Sequence, residues 1–386
     1  MQIYGFFKDY KAVVSLFFLI FGKFFLSNQF FTYFSKVMSV SFWVIDWYLK
    51  HKRVLPWREC SDPYRIWVSE IILQQTRIVQ GLDYYLRFIE QFPDIESLAN
   101  ASEDDVLLLW QGLGYYSRAR NMHTAAKEIM ERHQGVFPSS YVEIRALKGV
   151  GDYTAAAIAS FAYKLPYATL DGNVFRVLSR YFGISTPIDS PAGKREFQTL
   201  AQELIDPKRP DLFNQGMMDL GATICLPSSP LCHECPLADS CLANGMKEQT
   251  LFPVKAKKIV PKERFFLYLV VLDDGHAYIR KRGEKDIWKG LYEFPMIEVD
   301  KPIEEAEIGH LLQQFSGDFT NITLHEISEE KLHILTHQRL HVRFVTATGK
   351  PTQTCEYLRV PIEELSNYAF PQLLSKGMRH LFTITS

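Results

Sequence analysis

Four cysteines, Cys225, Cys232, Cys235 and Cys241, fall within seventeen residues in the pattern C-x6-C-x2-C-x5-C, in a chain of 386 residues whose only other cysteines are Cys60 and Cys355. Thiolates on spacings of six, two and five can converge on one centre, either a zinc ion or a 4Fe-4S cube. Disulfides are the alternative, but a chain large enough for full hydrophobic cores does not need two bridges crowded into one short loop. Structural zinc more often uses paired C-x2-C knuckles, and only Cys232 and Cys235 form one, so the spacing alone leaves zinc and cluster both open. A metal site built of thiolates implies a reducing compartment, which favours the cytoplasm over secretion.

Two carboxylates stand at the other chemically informative places. Asp62-Pro63 reads as a helix start, with Asp62 as N-cap and Pro63 at the first helical position, and the helix continues through YRIWVSEIILQQT. Glu70 lies four residues after Ile66, three after Trp67 and three before Leu73, in the middle of the apolar stripe. A carboxyl group so placed is a candidate general acid, because desolvation favours its protonated form. Burial against an arginine such as Arg58 or Arg77 accounts for the position equally well. The second carboxylate, Asp171, precedes Gly172, Asn173 and the helix VFRVLSRYF. N-capping is the commoner role for Asp there, whereas a carboxylate aimed at a site from a helix N-terminus stays ionised.

Between the carboxylates runs LKGVGDYTAAAIASFA, residues 147–162. A helix ends at Leu147, Gly149 and Gly151 permit a tight turn, Asp152 can cap, and a small-residue helix follows. Successive backbone amides at a helix N-terminus form a natural phosphate seat. This is a helix-hairpin-helix element, made moderately specific by the alanine-rich second helix.

These residues need a helical scaffold. From Trp43 to about Ala243 the periodicity is helical, strand signals are absent, and the turns carry Pro and Gly, which predicts an all-α domain of about ten short helices. Residues 244–262 hold Lys247, Lys255, Lys257, Lys258 and Lys262 with Pro253 and Pro261, and read as a basic linker. From Arg264 the character changes. Phe265 to Leu272, an Asp273-Asp274-Gly275 turn, and Ala277 to Arg282 predict a β-hairpin. Further strands are expected around 322–327, 333–335 and 340–346, and helices near 303–315 and 371–381, making this part α+β. A net charge of -1 argues against a tail-driven nucleic-acid binder but leaves room for a localised basic face. At the N-terminus, Val13 to Phe21 is apolar and flanked by Lys11 and Lys23, too short to span a bilayer at about 20 residues. With no clear cleavage site following it, this segment reads as translated upstream sequence before a start at Met38, a membrane-surface appendage being the other reading.

Taken in order, WVSEIILQQT, GLGYYSRARN, LKGVGDYTAAAI, LDGNVFRVLSR, FNQGMMDLGATIC and the four cysteines resemble the adenine DNA glycosylase family, a branch of the endonuclease III superfamily. The resemblance covers roughly residues 42–375 and is most specific in its first two hundred. It implies a multidomain chain: an extension (1–40), an all-α helix-hairpin-helix glycosylase domain with a 4Fe-4S cluster rather than zinc (41–243), the linker (244–262) and an α+β Nudix-like domain (263–386). The glycosylase domain would be a two-part helical fold with the active site in the cleft between the parts.

By that resemblance, Glu70 is the acid that protonates adenine N7, and Asp171 stabilises the oxocarbenium sugar. Asn173 orients the water, and Tyr153 supports the intermediate and Asp171. One neutral and one charged carboxyl group is the division of labour that glycosidic cleavage generally uses. The adenine must first leave the stack. Bifunctional members of the superfamily carry a Schiff-base lysine where this chain has Tyr153, so a monofunctional enzyme is expected. Gln75, Leu113 and Tyr115 match residues that wedge beside and contact 8-oxoguanine, while Tyr116 reads as core. Gly149 and Gly151 would face the DNA backbone. The C-terminal domain resembles the family's Nudix-like module through WKGLYEFP and HILTHQRLHV, but lacks the acidic metal-binding helix of Nudix hydrolases. It is expected to sense the lesion through Thr336 and His337, with Leu335 standing where the family usually has an aromatic residue. The loop between the first two cysteines is LPSSPL, without the basic residues common in relatives, so phosphate contact by this loop is expected to be weaker or borne elsewhere, the basic linker being one candidate. The expected partner is duplex DNA bearing adenine opposite 8-oxoguanine or guanine, with no stable membrane association, for a monomer in the cytoplasm associated with the nucleoid. The competing readings are an endonuclease III-like oxidised-pyrimidine glycosylase and lyase, against which Tyr153 and the extra domain argue, and a non-catalytic cluster-bearing DNA-binding protein, which leaves the joint presence of Glu70 and Asp171 unexplained.

Overall fold

The computed structural model describes residues 28–256, 260–283 and 286–382. The apolar stretch 13–21 and the linker lysines Lys257 and Lys258 lie outside these residues. Up to residue 256 the described chain is helical and contains no strand. The helices are α1 (Asn28–His51), α2 (Pro63–Ile72), α3 (Ile78–Gln91), α4 (Ile95–Asn100), α5 (Glu103–Leu109), α6 (Ser117–His133), α7 (Tyr141–Ala146), α8 (Asp152–Tyr163), α9 (Gly172–Phe182), α10 (Pro191–Leu204), α11 (Pro210–Thr223) and α12 (Leu242–Met246). Their contacts divide the chain into two compact units. One joins the segment ending at Arg53 with Leu170–Val254, and the other joins Val54–Thr169 with the chain from Lys255 onward.

In the first unit α11 packs on α1 through Gly216, where a Cβ would lie 2.8 Å from Val44 Cγ1. The buried carboxylate of Asp219 on α11 accepts from Arg53 just beyond α1. Pro191 and Pro210 begin α10 and α11, where the missing N–H has no intrahelical partner to lose, and Ser190 caps α10 by accepting from Gly193 N at 2.9 Å.

In the second unit Asp62 caps α2 as the sequence predicts, accepting from Tyr64 N at 2.9 Å with Pro63 at the first position. Trp67 on α2 and Trp110 after α5 are fully buried, in edge-to-face contact with Phe137 and Phe88 respectively. The helix-hairpin-helix is α7, a turn and α8. Asp152 is the first residue of α8 rather than its cap. Gly151 takes the cap position and the Asp152 carboxylate turns outward to Arg145 at 2.5 Å.

The remainder of this unit is a mixed sheet with strands β1 (Lys262–Asp273), β2 (His276–Lys281), β3 (Tyr292–Glu293), β4 (Met296–Val299), β5 (Phe319–Ile327), β6 (Lys331–Ile334), β7 (Gln338–Pro351) and β8 (Leu358–Pro361), with helices α13 (Glu305–Leu312) and α14 (Gln372–Phe382). The order β3-β2-β1-β7-β5 places β1 parallel to β7, from Lys262 beside Gln338 to Leu272 beside Thr348. The expected hairpin is β1 and β2, with Leu272 opposite Ala277. Six consecutive residues of β1, Phe266 to Val271, are buried because both faces of this central strand are covered. Alternation sends Phe266, Tyr268 and Val270 toward Phe344, Phe370 and Leu374, and Leu267, Leu269 and Val271 toward Ile308, Phe315 and Val345.

Within the same unit the sheet portion is fastened to the helices by polar contacts. Lys281 and the Tyr292 hydroxyl both donate to the Asp104 carboxylate, Gln111 Nε2 donates to Ser375 Oγ at 2.6 Å, and Arg120 donates to Lys289 O at 2.5 Å. The linker is shorter than its charge run: α12 and a 3-10 turn at Gln249–Leu251 occupy its first part, and β1 begins at Lys262. Among the described residues no helix is long and apolar enough to cross a membrane.

Candidate active site and cluster loop

Glu70 sits on α2 with its side chain toward the interior, 6% exposed. Alanines 155, 156, 157 and 159 of α8 are all buried, and these small side chains let α8 pack closely on α2. Tyr153, on the first turn of α8, donates its hydroxyl to Glu70 Oε2 at 2.8 Å, and Gln74 Nε2 donates to Thr154 Oγ1 at 3.2 Å beside it. The two hairpin glycines differ in their need to be glycine. Gly149 has φ +77 and a Cβ there would meet Asn121 Cβ at 2.5 Å, whereas Gly151 has φ -89 and a Cβ would meet nothing within 4 Å. The fold requires Gly149; at Gly151 the absence of a side chain leaves the amides at the start of α8 open to close approach.

Asp171 belongs to the other unit and caps α9, one carboxylate oxygen accepting from Val174 N at 2.8 Å and the other from Asn173 Nδ2 at 2.8 Å. Burial pushes its pKa above the usual carboxylate range, and its backbone and Asn173 hydrogen bonds and the Arg176 charge only partly oppose this. The capping role expected from its position is present, and desolvation opposes the stabilisation of the charged form that a helix N-terminus gives. A raised folded-state pKa means that ionising Asp171 costs folding free energy at neutral pH, and that the cost fades as pH falls toward the unfolded value of about 4. Asp171→Asn, which retains a capping oxygen, is therefore expected to raise the thermal midpoint at pH 7 and to lose that advantage near pH 4, as melting curves at the two pH values will show.

Arg176 ties this carboxylate to the cysteine loop. Its Nη2 donates to Asn173 Oδ1 at 2.8 Å and Gly221 O at 2.7 Å, and its Nε donates to Cys225 O at 2.7 Å. Gly221 lies directly against Asn173: a Cβ would stand 2.5 Å from Asn173 Cβ and 3.0 Å from its backbone. Backbone cannot yield as a flexible side chain does. Gly221→Ala is expected to cost about 1–3 kcal/mol of stability by overpacking and to displace Asn173 and Asp171, read as a lowered urea midpoint together with reduced excision.

All six cysteines are free of disulfides. Cys225, Cys232, Cys235 and Cys241 line one cavity of about 30 Å³, whose other walls include Val177, Leu220, Ile224 and Leu237. Among the described residues no three His, Cys, Asp or Glu groups close to the spacing of a single metal ion. A 4Fe-4S cube takes one thiolate at each of its four iron corners, and the four cysteines around this one cavity supply that number. Burial pushes the Cys235 thiol up to about 12 and raises that of Cys241, with neighbouring cysteines adding to both. Thiolates gather in such a place only around a cation that deprotonates them. The surroundings also fit an anionic cluster. The buried Arg180 guanidinium donates to Cys225 Sγ at 3.3 Å and to the carbonyls of Leu226, Pro227 and Gln249, each at 2.7 Å.

Of the residues expected at the opposite base, Gln75 and Tyr115 are exposed, both with positive φ, at +56 and +46. Leu113 is only 8% exposed and packs in the helical core. Tyr116 is core, as expected, its hydroxyl donating to Phe370 O. Thr336 and His337 are exposed in the turn between β6 and β7, and the Tyr115 and Thr336 hydroxyls are 2.5 Å apart. Leu335 packs against the sheet core, so it fills space inside rather than stacking outside.

The chain matches three family models: the HhH-GPD superfamily of base excision DNA repair proteins over residues 68–207, the iron-sulfur binding domain of endonuclease III over 225–241, and the NUDIX domain over 267–380. It is 38% identical to the adenine DNA glycosylase of Buchnera aphidicola subsp. Acyrthosiphon pisum (strain APS), over 69% of this chain and 75% of the relative. The chain belongs to the adenine DNA glycosylase family. Across that family it is also 34% identical to the Mus musculus enzyme, over 77% of this chain and 68% of the relative, and 30% identical to that of Schizosaccharomyces pombe, over 87% and 88%. A solved thermostable thymine-DNA glycosylase shares the helical fold at a TM-score of 0.52 and 27% identity, covering 55% of this chain and 98% of the other.

As a member of the adenine DNA glycosylase family the chain carries a 4Fe-4S cluster, and the iron-sulfur model begins at Cys225 and ends at Cys241. Sequence reasoning missed Arg176, Arg180 and Gly221. The two arginines, four apart in VFRVLSRYF, share one face of α9, and a basic pair interrupting an apolar face is the signal that could have found them.

Proposed function

We propose that the chain hydrolyses the N-glycosidic bond of adenine mispaired with 8-oxoguanine or guanine in duplex DNA, leaving an abasic site and an intact strand. The names of the relatives support adenine as the base. The Tyr153 hydroxyl on Glu70 is the observation that carries the chemistry. A phenol donates to one oxygen of a buried carboxyl group, and that phenol stands where a lyase needs an amine.

In this reading the flipped adenine accepts the Glu70 proton at N7. The C1′–N9 bond then breaks with its electron pair passing to the base, and Asp171 stabilises the positive charge left on the sugar. Asn173, bonded to Asp171, orients the water whose oxygen bonds to C1′ and whose proton is released. Tyr153 holds Glu70 and supports the intermediate. The cluster, held by Cys225, Cys232, Cys235 and Cys241, organises the loop behind Asp171 and takes no part in bond cleavage. Gly149 and Gly151 place backbone amides at a phosphate. Gln75, Tyr115, Thr336 and His337 face the base opposite, with Leu113 supporting them from beneath, and the Nudix-like domain reads the lesion rather than hydrolysing a pyrophosphate. The protein would act as a monomer in the cytoplasm on the nucleoid.

An A:8-oxoguanine duplex incubated with the protein and treated with alkali, or with borohydride, tests this reading. Breakage only after alkali, with no borohydride-trapped adduct, is expected. Efficient trapping would overturn the monofunctional assignment, and cutting of oxidised-pyrimidine duplexes instead would establish the endonuclease III-like alternative.

A further inference from the structure

Arg118, on the first turn of α6, is half-buried and spends its guanidinium on carbonyl oxygens. Nη1 donates to Ile71 O at 2.8 Å, Ile72 O at 3.1 Å and Gln74 O at 2.6 Å, and Nη2 donates to Gly114 O at 3.2 Å and Leu113 O at 3.4 Å. The planar group lies 5.2 Å from the Trp110 ring and 5.7 Å from the Tyr115 ring. Ile71 and Ile72 end α2, where unsatisfied carbonyls and the helix dipole favour a cation. The other two close contacts have a different meaning. Gln74 O immediately precedes Gln75 and Gly114 O immediately precedes Tyr115, and each of these following residues holds a positive φ that an L side chain rarely adopts. Such strain persists only where the surroundings over-determine it, and it collects at sites that must hold one geometry. One guanidinium fixes the peptide leading into both.

We propose that Arg118 is the positioning residue for recognition of the opposite base: it sets Gln75 and Tyr115 as one unit, and through α2 fixes that unit relative to Glu70. The proposal rests on the reading that Gln75 and Tyr115 face the opposite base. A lysine cannot replace the fork, because one ammonium cannot reach two sets of carbonyls in two directions.

The test is the ratio of kcat/KM on A:8-oxoguanine duplex to that on A:C duplex. Arg118→Met is expected to lower this ratio about tenfold or more, from the loss of charge-assisted bonds. Arg118→Lys is expected to fall between it and wild type, and it carries the measurement if the methionine variant does not fold. Added to a Gln75→Ala/Tyr115→Ala protein, Arg118→Lys should lower the ratio no further, since it acts through those residues. A purely structural role would slow both duplexes equally, and an unchanged ratio in Arg118→Met and Arg118→Lys overturns the proposal while that reading stands. An unchanged ratio in Gln75→Ala/Tyr115→Ala overturns the reading itself, and the proposal with it.

Discussion

Replacing Glu70 by glutamine is expected to slow adenine excision by about 10²–10⁴-fold while leaving DNA binding and folding intact. Glutamine keeps the volume and can still accept the Tyr153 hydroxyl at the 2.8 Å contact, so the α2–α8 packing has no reason to change. In the proposed mechanism what disappears is the transferable proton. Without it the base must leave as an anion, and the barrier rises by the free energy that proton transfer had supplied. Asp171→Asn should also abolish excision, for a different reason: a neutral amide retains the cap on α9 but removes the charge that opposes the developing sugar cation. The two variants separate by pH. In the proposed mechanism Asp171 acts ionised, and burial raises its pKa, so wild-type excision should fall as pH drops through a value above that of an ordinary carboxylate. Single-turnover rates across pH on an A:8-oxoguanine duplex read both effects. A Glu70→Gln protein within a few-fold of wild type would remove the general-acid role, and binding curves on the same duplex show whether any loss lies in affinity instead.

Residues whose position follows from local periodicity were legible in advance. Glu70 shows itself as a carboxylate inside an apolar stripe, Asp62 and Asp171 as caps, and Gly149 as a turn glycine. The sheet's long central strands stand out because their buried runs exceed any helical pattern. Two-residue β3 and four-residue β4 and β8 do not, since so short a segment carries no period. Asp152 shows the limit of cap rules: Gly151 took the cap position and left the carboxylate to Arg145. The Asp171 environment was legible as a cap and not as a partly buried one, because its partner Asn173 is packed from α11, where Gly221, fifty residues beyond Asp171, lies against it. Arg176 and Arg180 are of the same kind. Their partners are carbonyls and a sulfur in the cysteine loop, and no spacing rule pairs an arginine with a carbonyl nearly fifty residues away.

That loop sets the second large effect. Cys235→Ser is expected to strip the iron and the visible absorbance that accompanies it, and to destabilise the first unit, because the loop carbonyls and the Cys225 sulfur that hold the buried Arg180 belong to the segment the cluster fastens. Cys60→Ser and Cys355→Ser, in the other unit, should leave iron content unchanged. Loss of excision in Cys235→Ser follows from geometry rather than chemistry: Cys225 O holds Arg176, Arg176 holds Asn173, and Asn173 holds Asp171, each at 2.7–2.8 Å. Arg176→Met isolates this chain of contacts. It removes the first two of these three links while leaving all four thiols and Arg180 in place, so it should retain iron yet slow excision by about tenfold or more. Iron content, absorbance and single-turnover rate measured on the same preparations decide the matter. If Arg176→Met keeps both iron and full rate, the cysteine loop stabilises the fold without orienting Asp171. If it keeps iron and loses rate, the cysteine loop acts on the proposed chemistry through the three hydrogen bonds that run from Cys225 O to Asp171.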